Sequence, residues 1–325
     1  MCKLVVLHNY SDGFQTHRYR RKLTLSANSA NVVLNNSECI FTSPKSKMYH
    51  NYFVNKIAIV TGGGSGIGCA LCLKLAAAGA QVVCADINLS RAEETAGLTG
   101  NAAIPLKLDV SICTEVEAML NSVAAQFGRI DIIFNNAGIS VGGELRDLSV
   151  TDFEKVMGVN FYGMLYGSQA AYKLMLQQGH GQIVNTSSGA GLIDGVPLLA
   201  PYSVSKHAVV SYSKVLRTEA KALGIKVSVV CPGMVSTAIV ADTRYVNALQ
   251  NAKDYSITEL SKGISAEKAA DHILRGVAAN KAVIIFPVKM KIALLLSRLF
   301  KAPFRVIMSR MIAIYRKQYR KQTPD

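Results

Sequence analysis

The chain carries a glycine-rich turn, Thr61-Gly-Gly-Gly-Ser-Gly-Ile-Gly68, between an apolar run and a helical segment. The apolar run, Ile57-Ala-Ile-Val60, is short and rich in branched residues, which is typical of a buried parallel strand. The segment from Cys69 to Ala78 predicts a helix that is closed by Gly79. Glycines between a strand and a helix let the backbone approach a pyrophosphate at the positive end of the helix. The turn therefore predicts a dinucleotide site.

A second predicted strand follows and ends at Asp86. A carboxylate at this place accepts hydrogen bonds from the adenosine ribose hydroxyls and repels a 2′-phosphate. The alternative is that Asp86 caps the next helix. Because the turn has no Arg or Lys between Gly62 and Gly68 to receive a 2′-phosphate, we predict NAD as the cofactor in preference to NADP.

Tyr202 and Lys206 lie four residues apart in Pro201-Tyr-Ser-Val-Ser-Lys-His207, so they share one face of a helix. A phenol with a pKa of about 10 is a poor acid or base at neutral pH. A neighbouring ammonium is expected to lower that pKa into a useful range. The spacing alone also occurs by chance, and the upstream glycine turn is what makes it informative.

Five further segments occur in order along the chain. They are Asp109-Val110, Asn135-Asn-Ala-Gly138, Val156-Met-Gly-Val-Asn160, Ile183-Val-Asn-Thr-Ser-Ser-Gly-Ala-Gly191 and Cys231-Pro-Gly-Met-Val-Ser-Thr237. Together with the turn and the Tyr-Lys pair, they resemble the short-chain dehydrogenase/reductase family in its standard single-domain form, over residues 54–287.

The resemblance implies a doubly wound, mostly parallel α/β sheet of the Rossmann type with helices on both faces. The regular alternation of apolar and helical segments from 57 to 287 predicts the same single sheet. By resemblance, the catalytic residues are Asn160, Ser188, Tyr202 and Lys206. The cofactor contacts implied by the turn, Asp86 and the resemblance are Gly62, Ser65, Gly66, Ile67, Gly68, Asp86, Asp109, Val110, Asn136, Ala137, Gly138, Tyr202, Lys206, Pro232, Gly233, Val235 and Thr237. No metal site is predicted.

The position of the catalytic serine departs from the family pattern. The usual spacing from serine to tyrosine is thirteen residues, and Ser188 to Tyr202 is fourteen. The flanking pattern Ser-Ser-x-Ala-Gly aligns Ser188 with the catalytic position, which puts the extra residue in the loop 192–200, where single insertions are tolerated. Ser187 is the alternative.

Local patterns also predict helix boundaries. Thr114-x-x-Glu117 and Thr151-x-x-Glu154 predict capping boxes, the second before a long helix from Asp152 to Gln177. Near the C-terminus, Pro303 predicts a break between two helices.

The net charge of +15 is carried by the two ends of the chain. Residues 1–56 have eight Lys/Arg and two acids, residues 281–325 have eleven and one, and the central 57–280 has seventeen and eighteen. A nucleic-acid-binding domain would spread basic residues over one face, so no nucleic acid is expected as a partner. We predict an N-terminal extension (1–53), a catalytic domain (54–287) and a basic C-terminal tail (288–325).

The basic tail is amphipathic, and two interpretations stay open. It either lies on a membrane surface or packs on the domain or a second subunit. The extension has a basic run from Arg18 to Lys22, which leaves organelle targeting open, and no secretory hydrophobic region. Seven cysteines without disulfide-like spacing favour a reducing, cytoplasmic location.

These features predict an NAD-dependent alcohol dehydrogenase or carbonyl reductase that forms a homo-oligomer. The alternative is a non-catalytic NAD-binding scaffold that acts at a membrane or partner surface. The loops 190–200 and 234–262 are expected to select the alcohol or ketone. Their apolar residues favour a lipid-like, steroid-like or ring substrate, and they are Leu192, Ile193, Val196, Leu198, Leu199, Met234, Ile239, Val240 and Tyr245.

Overall fold

The computed structural model describes residues 32–35, 38–41, 47–237, 239, 242–248 and 263–318. The predicted basic run at Arg18–Lys22 and the substrate-loop residue Val240 lie outside these ranges. The chain divides into two units, residues 1–44 and 45–325. In the first unit, β1 (Val32–Asn35) and β2 (Glu38–Phe41) pair as antiparallel strands. The second unit carries every predicted site residue.

The second unit is built on a seven-stranded sheet. Its strands are β3 (Ile57–Thr61), β4 (Gln81–Asp86), β5 (Ala103–Lys107), β6 (Ile132–Asn135), β8 (Gly181–Thr186), β9 (Ile225–Pro232) and β13 (Val283–Phe286). The order across the sheet is β13-β9-β8-β6-β3-β4-β5, and every neighbouring pair is parallel. The predicted doubly wound sheet is confirmed.

Four two-residue strands lie outside this sheet, at its carboxyl edge. β7 (Val141–Gly142) pairs with β11 (Arg244–Tyr245), and β10 (Val235–Ser236) pairs with β12 (Ile264–Ser265). These pairs join loops that are far apart in the sequence, so they order the region where the site is predicted.

Helices cover both faces of the large sheet. They are α1 (Lys47–Phe53), α2 (Gly66–Ala77), α3 (Leu89–Gly97), α4 (Cys113–Phe127), α5 (Val150–Met157), α6 (Gly163–Gln178), α7 (Ala200–Ala220), α8 (Ala266–Ala278), α9 (Val288–Leu299) and α10 (Lys301–Gln318). Successive residues of a strand face opposite sides of the sheet. Ala58 and Val60 therefore join the core with α1, α2, α3 and α8, whereas Ile57 and Ile59 join the core with α4, α6 and α7.

The helix starts differ from two local predictions. Ser149 caps α5, and it forms a reciprocal capping box with Asp152, so the predicted box at Thr151 and Glu154 is wrong by two residues. Thr114 lies inside α4, because the chain becomes helical at Cys113. The predicted long helix is present from α5 to α6, but a five-residue π-helix at 158–162 interrupts it.

The predicted boundary between the N-terminal extension and the catalytic domain, after residue 53, excludes helix α1 from the domain. Helix α1 buries Tyr49 and Phe53 in the core shared with α2 and α8. The Tyr49 hydroxyl also donates a hydrogen bond to Asp271 of α8 at 2.7 Å. Buried aromatic side chains contribute several kcal/mol each, so α1 is part of the domain.

The basic tail forms two helices that are anchored to the domain. The break falls at Phe300, and Pro303 lies in the first turn of α10, where its missing N–H has no effect. Leu294 of α9 is buried, and Tyr315 of α10 is buried against Leu198. Among the described residues, no helix is long and apolar enough to cross a membrane.

We predict that Phe53→Ala lowers the free energy of unfolding by about 3–5 kcal/mol, because it opens a cavity under α1. Phe53 is 0% exposed, whereas the adjacent Val54 is 49% exposed and serves as a control. Val54→Ala should change stability by no more than about 0.5 kcal/mol. Urea unfolding followed by circular dichroism measures both, and equal values would show that α1 does not belong to the domain core.

Candidate active site

The glycine turn after β3 packs against the end of β6. A Cβ added at Gly68 would overlap the carbonyl oxygen of Gly62, and one added at Gly62 would lie 2.9 Å from the Cα of Ala137. Gly62 also has a φ of +65°, which favours glycine. The turn therefore leaves bare backbone beside the start of α2, where a phosphate can approach.

Asp86 is held beside this turn at the end of β4. Its carboxylate accepts hydrogen bonds from the backbone N–H groups of Gly64 at 2.9 Å and Asn88 at 3.0 Å. The residue that caps α3 is Asn88, whose side-chain oxygen accepts from the N–H of Arg91 at 3.2 Å. The capping role that was the alternative for Asp86 is thus filled by its neighbour.

Arg91 is a residue near the site that sequence reasoning missed. A Cβ added at Gly64 would lie 2.7 Å from the Cβ of Arg91, so the first turn of α3 touches the glycine turn. Arg91 lies in the next helix, outside the Gly62–Gly68 turn that contains no Arg or Lys. Arg91 therefore places a cationic residue beside the glycine turn.

The segment after β6 is fastened to the end of β3. The Thr61 hydroxyl accepts hydrogen bonds from the N–H groups of Asn136 at 3.0 Å and Ala137 at 3.1 Å. The Asn136 amide donates to the Thr61 carbonyl at 3.2 Å. These bonds keep the Asn-Ala-Gly138 backbone close to the glycine turn.

The remaining predicted cofactor contacts lie around the same crevice. Gly233 follows β9 and donates its N–H to the Phe286 carbonyl at 2.7 Å, and the Thr237 side chain lies 3.2 Å from a Cβ added at Gly66. Asp109 accepts from the Ser111 N–H and hydroxyl after β5. The other predicted cofactor contacts adjoin strands or helices that meet at the carboxyl edge of the sheet. They are Ser65, Ile67, Val110, Pro232 and Val235.

The structure brings Ser188, and not Ser187, to the phenol of Tyr202. Ser188 lies close enough to the Tyr202 hydroxyl to lower its pKa. Ser187 is buried, and its hydroxyl donates to the Lys206 carbonyl at 2.7 Å. Burial raises the pKa of Tyr202, and Ser188 acts against this rise. The expected net lowering of that pKa by Lys206 is therefore wrong for this arrangement, because desolvation is the larger effect.

Lys206 is a buried ammonium that is bonded to the backbone at the end of β8. Its side chain is 2% exposed, its Nζ donates to the Thr186 carbonyl at 2.9 Å, and it lies 5.6 Å from the centroid of the Tyr202 ring. Burial lowers the pKa of Lys206 to about 8. Burying the Lys206 ammonium therefore costs free energy, which an apolar side chain at the same position would not.

Asn160 lies in the π-helix and is bonded to the backbone after β6. Its Oδ1 accepts from the N–H of Ile139 at 2.8 Å, and its Nδ2 donates to the Ile139 carbonyl and the Ser205 hydroxyl, each at 3.0 Å. A Cβ added at Gly138 would lie 3.3 Å from Asn160 Oδ1 and 3.4 Å from Lys206 Nζ. Asn160 and Lys206 therefore approach one point beside Gly138.

The residues present fit a nicotinamide dinucleotide. The bare glycine turn suits the pyrophosphate, and Asp86 suits the adenosine ribose. At the other end of the crevice, Gly138 leaves room beside Lys206 and Tyr202, the pair that the family resemblance assigns to the nicotinamide end. When bound, such a cofactor would supply the hydride acceptor or donor.

The predicted substrate loops are joined to one another and to the tail. The Gly143 N–H donates to the Leu198 carbonyl at 2.8 Å, and Tyr245 pairs with Gly142. The tail contacts the segment after β7, since the Arg316 guanidinium of α10 donates a hydrogen bond to the buried Glu144 carboxylate at 2.7 Å. Sequence reasoning missed this contact, because the two residues are 172 positions apart and neither belongs to a motif.

Two other contacts change the expected picture of the loops. Leu192 packs with Val210 and faces the outer side of α7, away from the position expected for a substrate residue. Met290 of α9 lies against Gly189 and Gly233, where a Cβ added at Gly189 would lie 2.6 Å from its Cε. The tail therefore contacts the site from two directions.

Comparison with known proteins agrees with this architecture. The sequence matches the family described as short chain dehydrogenase over residues 56–247. It is 31% identical to a putative oxidoreductase, SadH, of Mycobacterium tuberculosis over 268 residues, which cover 80% of this chain and 96% of that protein. It is also 38% identical to a probable oxidoreductase, EphD, of Mycobacterium bovis over 200 residues, or 60% of this chain. That match spans 33% of EphD, about a third of its length.

A solved structure shows the same fold. It is a short chain dehydrogenase/reductase of Burkholderia phymatum in complex with NAD, with a TM-score of 0.70 and 29% identity over 76% of this chain and 94% of that chain. Fold and site together define an α/β dinucleotide-binding oxidoreductase. The chain belongs to the short chain dehydrogenase family.

We predict that Lys206→Met is more stable than the native protein at pH 7, by roughly 2 kcal/mol after allowing for the lost hydrogen bond to Thr186. The folded pKa of about 8 lies below the unfolded value of about 10.4, so burying the ammonium opposes folding fully below pH 8. This penalty is relieved as the pH rises from 8 towards 10, and the advantage of the variant should shrink over that range.

Urea unfolding at pH 7 and pH 10 measures this difference, with the exposed Lys221→Met as the control. A variant that is less stable than the native protein at both pH values would show that Lys206 stabilises the fold.

Proposed function

We propose that the protein transfers a hydride between a nicotinamide dinucleotide and a secondary alcohol or ketone, and that Tyr202 is its general acid/base. The observation that supports this most is the buried Lys206 ammonium 5.6 Å from the centroid of the Tyr202 ring, with Ser188 beside the Tyr202 hydroxyl. The Tyr202 phenol, the Ser188 hydroxyl and the buried Lys206 ammonium thus lie together at one end of the crevice that suits the cofactor. Such a combination is typical of catalytic sites.

Each side chain has a proposed role. Tyr202 takes the proton of the substrate hydroxyl in oxidation and returns it in reduction. Ser188 donates a hydrogen bond to the reacting oxygen and stabilises the charge that develops there. Lys206 favours the phenolate and, by family resemblance, holds the nicotinamide ribose. We expect Asn160 to position the water through which the proton leaves.

The directions of the two pKa shifts bear on this mechanism. Because burial raises the pKa of Tyr202, the phenol is protonated near neutral pH and is suited to donate a proton to a ketone. Alcohol oxidation requires the phenolate instead. The Lys206 ammonium, 5.6 Å from the ring centroid, favours that form electrostatically.

We propose an apolar substrate, such as a lipid-like, steroid-like or ring alcohol. Ile193, Val196 and Leu199 are half-buried in the loop that leads into α7, and Met234 and Tyr245 lie on the opposite loops. A site lined by such side chains favours ligands that bury apolar surface. The cofactor is proposed to be NAD, because the fixed Asp86 carboxylate repels a 2′-phosphate.

We also propose peripheral membrane contact by the tail, residues 288–325. Within 288–318 the sequence has eight Lys/Arg and no acid. Packing on the domain accounts for Leu294, Tyr315 and Arg316, but it leaves most of the apolar residues of α9 and α10 exposed. A homo-oligomer is part of the proposal, since α7 also exposes Val204, outside the tail, and light scattering would measure its mass.

We expect Tyr202→Phe to lower kcat for every accepted alcohol by about 10²–10⁴-fold, the usual contribution of general acid–base catalysis. The dissociation constant of NAD should stay nearly unchanged. Tyr212→Phe, on the same helix, is the matched control and should keep its activity. Absorbance at 340 nm over an alcohol panel measures turnover. Full activity of Tyr202→Phe would refute the mechanism, and NAD binding by the native protein without any turnover would favour the scaffold alternative.

The cofactor proposal concerns Asp86 and Arg91. The native protein should have a higher kcat/KM with NAD than with NADP, and Asp86→Ala should narrow that ratio by about tenfold, as one lost charge repulsion of roughly 1.4 kcal/mol implies. Adding Arg91→Ala to that variant should reduce its use of NADP. Equal kcat/KM values for the two cofactors in the native protein would contradict the role of Asp86.

A further inference from the structure

A second cavity lies on the outer side of α7, away from the glycine turn. It has a volume of about 550 Å³ and is bounded by α7, the loop after Ser188 and the turn that joins α9 to α10. Ligand cavities in proteins usually measure about 300–1,000 Å³. Among the described residues that line it, none belongs to the predicted catalytic or cofactor set.

Four cationic side chains surround this cavity. They are Lys214 of α7, Arg298 at the end of α9, and Lys301 and Arg305 at the start of α10. The one acid among its described lining residues is Asp194, which is exposed and lies 3.6 Å from the His207 ring. Like charges around one cavity repel each other, and an anionic ligand would relieve that repulsion. The charge of the cavity therefore indicates an anion.

The turn beside the cavity is apolar and exposed. Leu299 is 66% exposed and Phe300 is 55% exposed, and they stand between the two cavity cations Arg298 and Lys301. The turn is held in place on both sides, because α9 is anchored by Leu294 and α10 by the buried Tyr315. Exposed apolar residues flanked by cations are typical of segments that insert into a membrane interface.

We propose that this cavity binds the phosphate of an anionic lipid headgroup while Leu299 and Phe300 enter the adjoining membrane surface. The inference rests on the proposed membrane contact of the tail and assigns its recognition site. Val210, Val215 and Phe304 also line the cavity and suit the apolar part of a lipid. A free phosphate would use the cations but leave Leu299 and Phe300 in water. A second copy of the tail would add cations, since residues 288–318 contain no acid.

The test measures how the full chain binds to vesicles of phosphatidylcholine alone and of phosphatidylcholine mixed with phosphatidylglycerol. We expect binding to the mixed vesicles that weakens as salt is raised. Arg298→Gln with Arg305→Gln should weaken it roughly twenty-five-fold, about fivefold for each cation near an anionic surface. Leu299→Ser with Phe300→Ser should remove the binding that remains at high salt.

The matched control is Arg310→Gln with Lys317→Gln, which removes the same charge from α10 outside the cavity. Neither residue lines the cavity, and Arg310 and Lys317 lie five and twelve residues beyond the cavity residue Arg305, about 8 Å and 18 Å along the helix, at and beyond the screening length of about 8 Å at physiological salt. The control should therefore lose less than about threefold in binding. Circular dichroism and the dehydrogenase assay with a soluble alcohol should be unchanged in all three double variants.

Three results would overturn the inference. If the cavity variant and the control lose vesicle binding equally, the tail is attracted to the membrane by its overall charge and the cavity is not a binding site. The proposed membrane contact of the tail would remain. No binding to mixed vesicles would remove both the contact and the site, and the activity assay would leave the hydride-transfer proposal intact. Protection against heat by glycerol 3-phosphate, abolished in the cavity variant and seen without vesicle binding, would assign the cavity to a soluble phosphate.

Discussion

The reversal of strand order between β3 and β6 is the constraint on which the whole site depends. β4 and β5 are added on one side of β3, and the other strands on the side of β6, so the loops that leave β3 and β6 diverge at the carboxyl edge. That crevice admits a dinucleotide only if the backbone is bare, which Gly62 and Gly68 provide. The Thr61 hydroxyl then fixes the two loop ends together.

The site also holds a charge that the fold alone does not favour. Lys206 is buried, its pKa is lowered to about 8, and the pKa of the adjacent Tyr202 is raised. Both shifts have the same cause, since desolvation disfavours an ammonium and a phenolate alike. The sheet and its two apolar cores offset this penalty. Proteins keep such destabilised groups mainly where chemistry needs them.

Local patterns predicted the parts of the structure that local forces decide. The glycine turn, the apolar strands and Gly79 at the end of α2 each follow from backbone conformation within a few residues. The capping box was misplaced, because several Ser, Thr and Asp residues compete near one helix start. The direction of the Tyr202 pKa shift depends on burial, which residue spacing does not contain. Likewise, the contact of Arg316 with Glu144 joins distant segments that carry no motif.

The central claim is that the chain transfers a hydride between an alcohol and a nicotinamide. The most direct measurement uses secondary alcohols deuterated at the carbinol carbon, incubated with the protein and NAD, with mass spectrometry of the cofactor. The account predicts that the reduced cofactor carries one deuterium and that the deuterated alcohol reacts more slowly than the ordinary one. Bound NAD that acquires no deuterium from any alcohol in a broad apolar panel would contradict it.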